Sequence, residues 1–112
     1  MTPFVVEIHF KLTLSSKEYE QAIASLAQAI ADVAGLQWKI WLLNESTHES
    51  CGICLFEDKS SANAFLSGPL IAQLKSAPSI TDFSIAQFTV LNAVTAITRG
   101  PVTHIPCGVD RG

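Results

Sequence analysis

Leu36-Gln37-Trp38-Lys39-Ile40-Trp41-Leu42-Leu43, then Asn44-Glu45-Ser46-Thr47-His48-Glu49, then Ser50-Cys51-Gly52-Ile53-Cys54-Leu55-Phe56: two runs rich in strand-forming side chains flank six polar residues. Tryptophan, isoleucine and phenylalanine suit a pleated, half-buried surface, so runs of them joined by a short polar connector read as a hairpin. This hairpin sits at the middle of the chain. Moving outward from it in either direction, the next segment has helical spacing and the one beyond it has strand spacing.

On the N-terminal side, Ser15 and Glu18 have the spacing of a capping box. Tyr19, Ile23, Leu26, Ile30 and Val33 then recur three and four residues apart, the buried stripe of a helix of about five turns that Gly35 ends. On the C-terminal side, Lys59 to Ser67 carries Ala62, Phe65 and Leu66 at helical spacing. Gly68-Pro69 interrupts before Leu70 to Ser76, which predicts a broken or kinked second helix. The outermost segments are strands. Phe4 to Leu12 puts Phe4, Val6, Ile8, Phe10 and Leu12 on one face and Val5, Glu7, His9 and Lys11 on the other. Ile80 to Leu91 alternates more loosely through Phe83, Ile85, Phe88 and Val90. The order β-α-β-β-α-β predicts an α+β, ferredoxin-like fold with helices on one face of an antiparallel four-stranded sheet. Residues 1–93 form this domain. Residues 94–112, with Gly100, Pro101, Pro106, Gly108 and Gly112, read as a tail that cannot hold regular structure for long and is ordered by docking on the domain or on a partner subunit.

A chain of 112 residues has room for one core. With 48% hydrophobic and 15% charged residues it has too little polar surface to cover a lone monomer. The sheet face left bare by the helices is the natural place for a second copy, which predicts a homodimer closed into a dimeric α/β barrel. A net charge of −3 with no two adjacent Lys or Arg offers no track for a phosphate backbone, so no nucleic acid is expected. No stretch approaches the ~20 apolar residues of a membrane span, and the start lacks the pattern of a secretory signal, so a cytoplasmic protein without a membrane partner is expected. Cys51, Cys54 and Cys107 are an odd number and read as reduced thiols. Cys51 and Cys54 lie three apart in a strand, facing opposite ways, and no second pair completes a zinc site, so no metal is expected.

The run Gly35-Leu36-Gln37-Trp38-Lys39-Ile40-Trp41, followed by Asn44-Glu45, His48-Glu49, Gly52-Ile53, Leu55-Phe56 and Asp58, resembles the central signature of the YdhR-type monooxygenases. Ile8-His9-Phe10, Ser61-Ala62, Phe65-Leu66 and Phe88-Thr89-Val90 with Asn92 extend the likeness from about Val6 to Asn92. The resemblance implies a dimeric α/β barrel of the antibiotic-biosynthesis-monooxygenase type. It also implies oxygenation of a small aromatic or quinol-like compound with neither metal nor flavin, hence no cofactor. One departure stands out: where the family tends to carry Gly-Gly-x-Tyr, this chain has Cys51-Gly52-Ile53-Cys54, so no phenol hydroxyl is available at Cys54.

Such chemistry requires an apolar cavity and a base or hydrogen-bond partner that favours the electron-rich phenolate. His9 is the first candidate for a catalytic role, because strand one is central and still carries polar Glu7, His9 and Lys11 on one side. Two residues of strand rise put Glu7 and His9 about 6–7 Å apart, close enough for one to tune the other without bonding it. The alternative is that this stripe satisfies polar contacts across the dimer interface. His48 is the second catalytic candidate, with Glu49 beside it as a substrate contact. Neighbours in a strand point to opposite faces and do not form a bonded dyad, and a solvated turn is the competing reading. Trp38 and Trp41 have opposite parity, so one faces the helices and the other the dimer side, each as core, interface or aromatic substrate contact. Asn44 orients a substrate oxygen or forms a turn. Cys54 lines the substrate site or is a small buried residue. Two other functions fit the same features: a non-catalytic dimeric module for a small hydrophobic ligand, and a haem-binding or haem-degrading relative.

Overall fold

The computed structural model describes residues 2–102. Its elements follow the expected order: β1 (Phe4–Leu12), α1 (Ser16–Ala31), β2 (Leu36–Asn44), β3 (Glu49–Phe56), α2 (Lys59–Leu66), α3 (Pro69–Ser76), β4 (Ile80–Thr89) and α4 (Asn92–Ile97). The strands pair antiparallel throughout in the order β2-β3-β1-β4, so β1 is central. The capping box forms as spaced: Ser15 Oγ accepts from the Glu18 amide at 3.2 Å, and the Ser15 amide donates to Glu18 Oε1 at 3.1 Å. Asp58 caps α2 by accepting from the Ser61 amide at 2.8 Å. The break at Gly68-Pro69 yields two helices, because Pro69 has no amide to donate and suits the first position of a new helix. Gly35 turns from α1 into β2 at φ 82°, where a side chain would also collide with that of Ser61.

Strand parity decides the layers. Phe4, Val6, Ile8, Phe10 and Leu12 pack with Cys54 and Phe56 beneath Tyr19, Ala62, Phe65 and Ile71, which forms the core between sheet and helices. The other face carries Val5, Glu7, His9 and Lys11, with Ile40, Leu42 and Phe88 exposed beside them. No helix among the described residues is long and apolar enough to cross a membrane.

Two expectations need amendment. Leu26 is 37% exposed rather than fully buried in the α1 stripe, because it borders a partly open cavity. The stretch assigned to an irregular tail begins with the short helix α4, which straddles the expected boundary after residue 93. Beyond α4, the Pro101 carbonyl accepts a 2.7 Å hydrogen bond from Trp38 Nε1, joining this segment to β2 across the sheet from β4. The rest of that tail, with His104 and Cys107, lies outside the described residues.

Candidate active site

A sheet twists and helices are cylinders, so two layers of them fit closely only where large side chains fill the gap. Between α1, α3 and the β2-β3-β1 part of the sheet the gap is not filled. A partly open cavity of about 190 Å³ remains, walled by Phe10, Tyr19, Ile23, Leu26, Trp41 and Leu74 among others. A ~150 Å³ apolar cavity holds benzene, so this space suits one or two aromatic rings.

Few polar groups reach it. Tyr19 from α1 and Ser50 from β3 are both buried, and their hydroxyls hydrogen-bond at 2.8 Å. Burial pushes the Tyr19 phenol above its ordinary pKa, and the bond to Ser50 partly offsets this. Lys39 shares the parity of Trp41 on β2 and is the one charged side chain lining the cavity among the described residues. Its Nζ lies 3.6 Å from the Trp41 ring centroid, a cation–π contact. Gly52, paired opposite Trp41, makes room for it: a Cβ there would stand 2.9 Å from Lys39 Cε. No carboxylate of the described residues is within 4.0 Å of the ammonium. Burial lowers the Lys39 pKa, and the neighbouring Cys54 thiol, when ionised, opposes this. Cys54 itself is fully buried in the core, where desolvation pushes its thiol up against the opposing pull of Lys39.

The residues expected to act divide between places. Trp41 is on the cavity wall. Trp38 has the opposite parity and is turned toward Pro101. His9 and Glu7 occupy the far face of the sheet, and their separation is corrected: His9 Nε2 meets Glu7 Oε1 at 3.0 Å, a direct contact. The backbone positions are as far apart as strand rise dictates, but both side chains are long enough to close the gap. Cys51 is paired directly across from His9, and its Sγ is 3.7 Å from the same nitrogen. Burial and the Glu7 charge push the Cys51 thiol up. The Glu7, His9 and Cys51 ligand atoms lie within 4.8 Å of one another, the one such trio among the described residues with donors a metal ion accepts. Asn44 forms a turn, its Oδ1 accepting from the Ser46 and Thr47 amides at 3.0 and 3.2 Å. His48 and Glu49 are exposed at that connector, with His48 at φ 58° and its carbonyl accepting from the Leu12 amide. Sequence reading passed over Tyr19 and Ser50 as cavity groups and gave Lys39 no role. The signal for Lys39 was there: a charge at the parity of Trp41 and Leu43 in a strand whose parity otherwise sends apolar groups inward.

A ferredoxin-like sheet with an apolar, sparsely polar cavity under its helices defines the class: an α+β domain with the fold of the antibiotic-biosynthesis monooxygenases. The model of one family, described as "Putative mono-oxygenase ydhR", matches residues 5–101, and the chain belongs to that family. Solved structures share the fold at low identity. SnoaB of Streptomyces nogalater, a cofactor-independent oxygenase, is 15% identical with a TM-score of 0.65, covering 80% of this chain and 94% of its own. A "putative antibiotic biosynthesis monooxygenase" of Deinococcus radiodurans is 15% identical with a TM-score of 0.64, covering 78% and 91%. MhuD, a heme-degrader of Mycobacterium tuberculosis, is 22% identical with a TM-score of 0.61, covering 78% and 95%. No curated protein matches the chain.

Proposed function

We propose that this protein is a monooxygenase that oxidises a small phenolic or quinol-like aromatic in the cavity beneath its helices, with the substrate as the sole reductant. The cavity carries the reading: it is apolar, sized for one or two rings, and interrupted by a short set of polar groups. A bound phenolate passes one electron to O₂, and the resulting phenoxyl and superoxide join through a new C–O bond. Loss of water from that hydroperoxide leaves a quinone, so phenol plus O₂ gives quinone plus H₂O. One oxygen atom enters the substrate, the other leaves as water, and no external reductant is consumed. The protein has only to bind the ring, favour its ionised form and admit O₂. Trp41 supplies a wall for the ring, and the Tyr19–Ser50 pair a polar edge.

The cavity volume lies below the ~300–1,000 Å³ of pockets for drug-sized ligands. No histidine among the described residues lines it, so these residues offer a haem little room and no imidazole ligand. The protein acts as a homodimer, its bare sheet face covered by a second copy. Ile40 and Leu42 on β2 and Phe88 on β4 are 44–51% exposed on that face, apolar groups on either side of the Glu7, His9 and Lys11 stripe that a second copy would cover.

The test is oxygen uptake with product detection by mass, using purified protein with a metal chelator present and a panel of small phenols and hydroquinones. Oxygen-dependent quinone formation is the expected result. A small aromatic that binds and is recovered unchanged after long aerobic incubation would overturn the enzymatic reading in favour of a binding module.

A further inference from the structure

We infer that Lys39 is the anion receptor of the cavity, so that the protein selects aromatic compounds that present an oxyanion and disfavours neutral hydrocarbons of the same shape. The inference rests on the cavity being the substrate site, as proposed above, and names the class of compound that site prefers.

The charge balance of the cavity points this way. Lys39 is half-buried, and its ammonium, which has lost part of its solvation while keeping some contact with water, gains from a partner of opposite charge. Around Lys39 the described residues offer none of opposite charge. The faces of α1 and α3 that border the cavity supply Tyr19, Ala22, Ile23, Leu26, Gln73 and Leu74, β3 supplies Ser50, Cys51 and Gly52, and Cys54 stands directly across from Lys39 in the core; none of these brings a negative charge. Tyr19 and Ser50 satisfy each other at 2.8 Å, and the Cys54 thiol is held protonated by burial. The Trp41 ring under Nζ offers its electron-rich face but no negative charge. The ammonium is therefore steered into the cavity by Trp41 below and by the absent side chain of Gly52 beside it. A phenolate or enolate oxygen beside Nζ would complete the pair and restore the favoured charged form of Lys39. A hydrocarbon would leave the charge unpaired in a still drier site. The phenol proton is released to solvent on binding, and the ring stays in the state that gives electrons to oxygen most readily.

The probe is para-nitrophenol, whose ionisation is read directly from its visible absorbance, with nitrobenzene as the neutral control of similar shape. With the full-length protein at saturation, the apparent pKa of bound nitrophenol is expected to fall by about one unit or more, equivalent to a tenfold or greater preference for the phenolate. Lys39→Met should abolish the fall while nitrobenzene binding persists, and Lys39→Arg should retain it in part. A fall that survives in the Met variant, or nitrobenzene binding the wild type as tightly as nitrophenolate does, overturns the inference and leaves the cavity reading standing. If neither probe binds, both readings fall. The wild-type comparison of the two probes decides the matter even where a variant fails to fold.

Discussion

The Tyr19–Ser50 hydrogen bond joins α1 to β3 in the wall of the cavity, and its energetics report whether that wall is dry. The two hydroxyls are 2.8 Å apart, and the residues are 8% and 3% exposed. Ser50→Ala strands a phenol hydroxyl against apolar walls, and Tyr19→Phe strands the serine. An unpaired buried polar group costs about 1–3 kcal/mol, whereas replacing both partners with apolar groups is close to neutral. Each single variant should therefore cost about 1–3 kcal/mol, and the double variant clearly less than their sum. At about 4–8 °C per kcal/mol for a domain of this size, each single change lowers Tm by roughly 4–24 °C. The assay is urea and thermal unfolding of the four proteins at one protein concentration, since dimerisation makes Tm depend on it. The raised phenol pKa of Tyr19 adds a check on sign. A group whose pKa is higher folded than unfolded contributes stability that is complete below the unfolded value, about 10, and is lost as pH rises through the folded value. Wild type should lose this contribution in strong alkali and Tyr19→Phe should not. Additive single effects, with coupling below about 0.5 kcal/mol, would refute the reasoning and show that water satisfies both hydroxyls.

Lys39→Met should leave the ligand-free protein as stable as wild type or more so, by up to about 1 kcal/mol, since a half-buried charge without a carboxylate partner is exchanged for an apolar group; a lower urea midpoint than wild type would contradict this. Gly52→Ala should change stability by less than about 1 kcal/mol, because reduced chain entropy in the unfolded state offsets a contact with a flexible lysine. It should nevertheless lower turnover of any phenolic substrate, because a Cβ 2.9 Å from Lys39 Cε must push that side chain off Trp41; unchanged kcat/KM would count against the assigned geometry. His9→Ala should leave turnover within about threefold of wild type, since the ring lies on the sheet face away from the cavity. A loss of about a hundredfold, the smallest expected of a missing general base, would return His9 to the reacting atoms.

The β-α-β-β-α-β order was legible in this sequence because each element carried its own local chemistry. Ser15 and Glu18 made the box they were spaced to make, Gly68-Pro69 split the second helix, and the alternation of Phe4 to Leu12 set the buried face. Local signals ran out where the outcome depended on which strands became neighbours. Nothing in the spacing of Cys51 announces that it stands across from His9; that follows from the register of β1 on β3. The short helix after β4 was hidden by the glycines and prolines that follow it.

The site was harder to read for a further reason. Polar groups in a central strand draw attention, and Glu7, His9 and Lys11 form a conspicuous stripe. In a two-layer fold, though, a cavity for a small molecule opens between sheet and helices, where imperfect packing leaves space, and that is the side to which the apolar parity points. A functional charge must then sit at an apolar-parity position, as Lys39 does between Leu36 and Trp41. There it is paired across from Cys54, while Gly52, opposite Trp41, leaves space for its chain. Such a charge costs stability wherever no partner is built in, so its placement makes physical sense only if something else supplies the partner. That links the parity of one lysine to the chemistry of the ligand: the more completely the surrounding residues fail to balance its charge, the more strongly the cavity prefers a ligand that brings a negative charge with it.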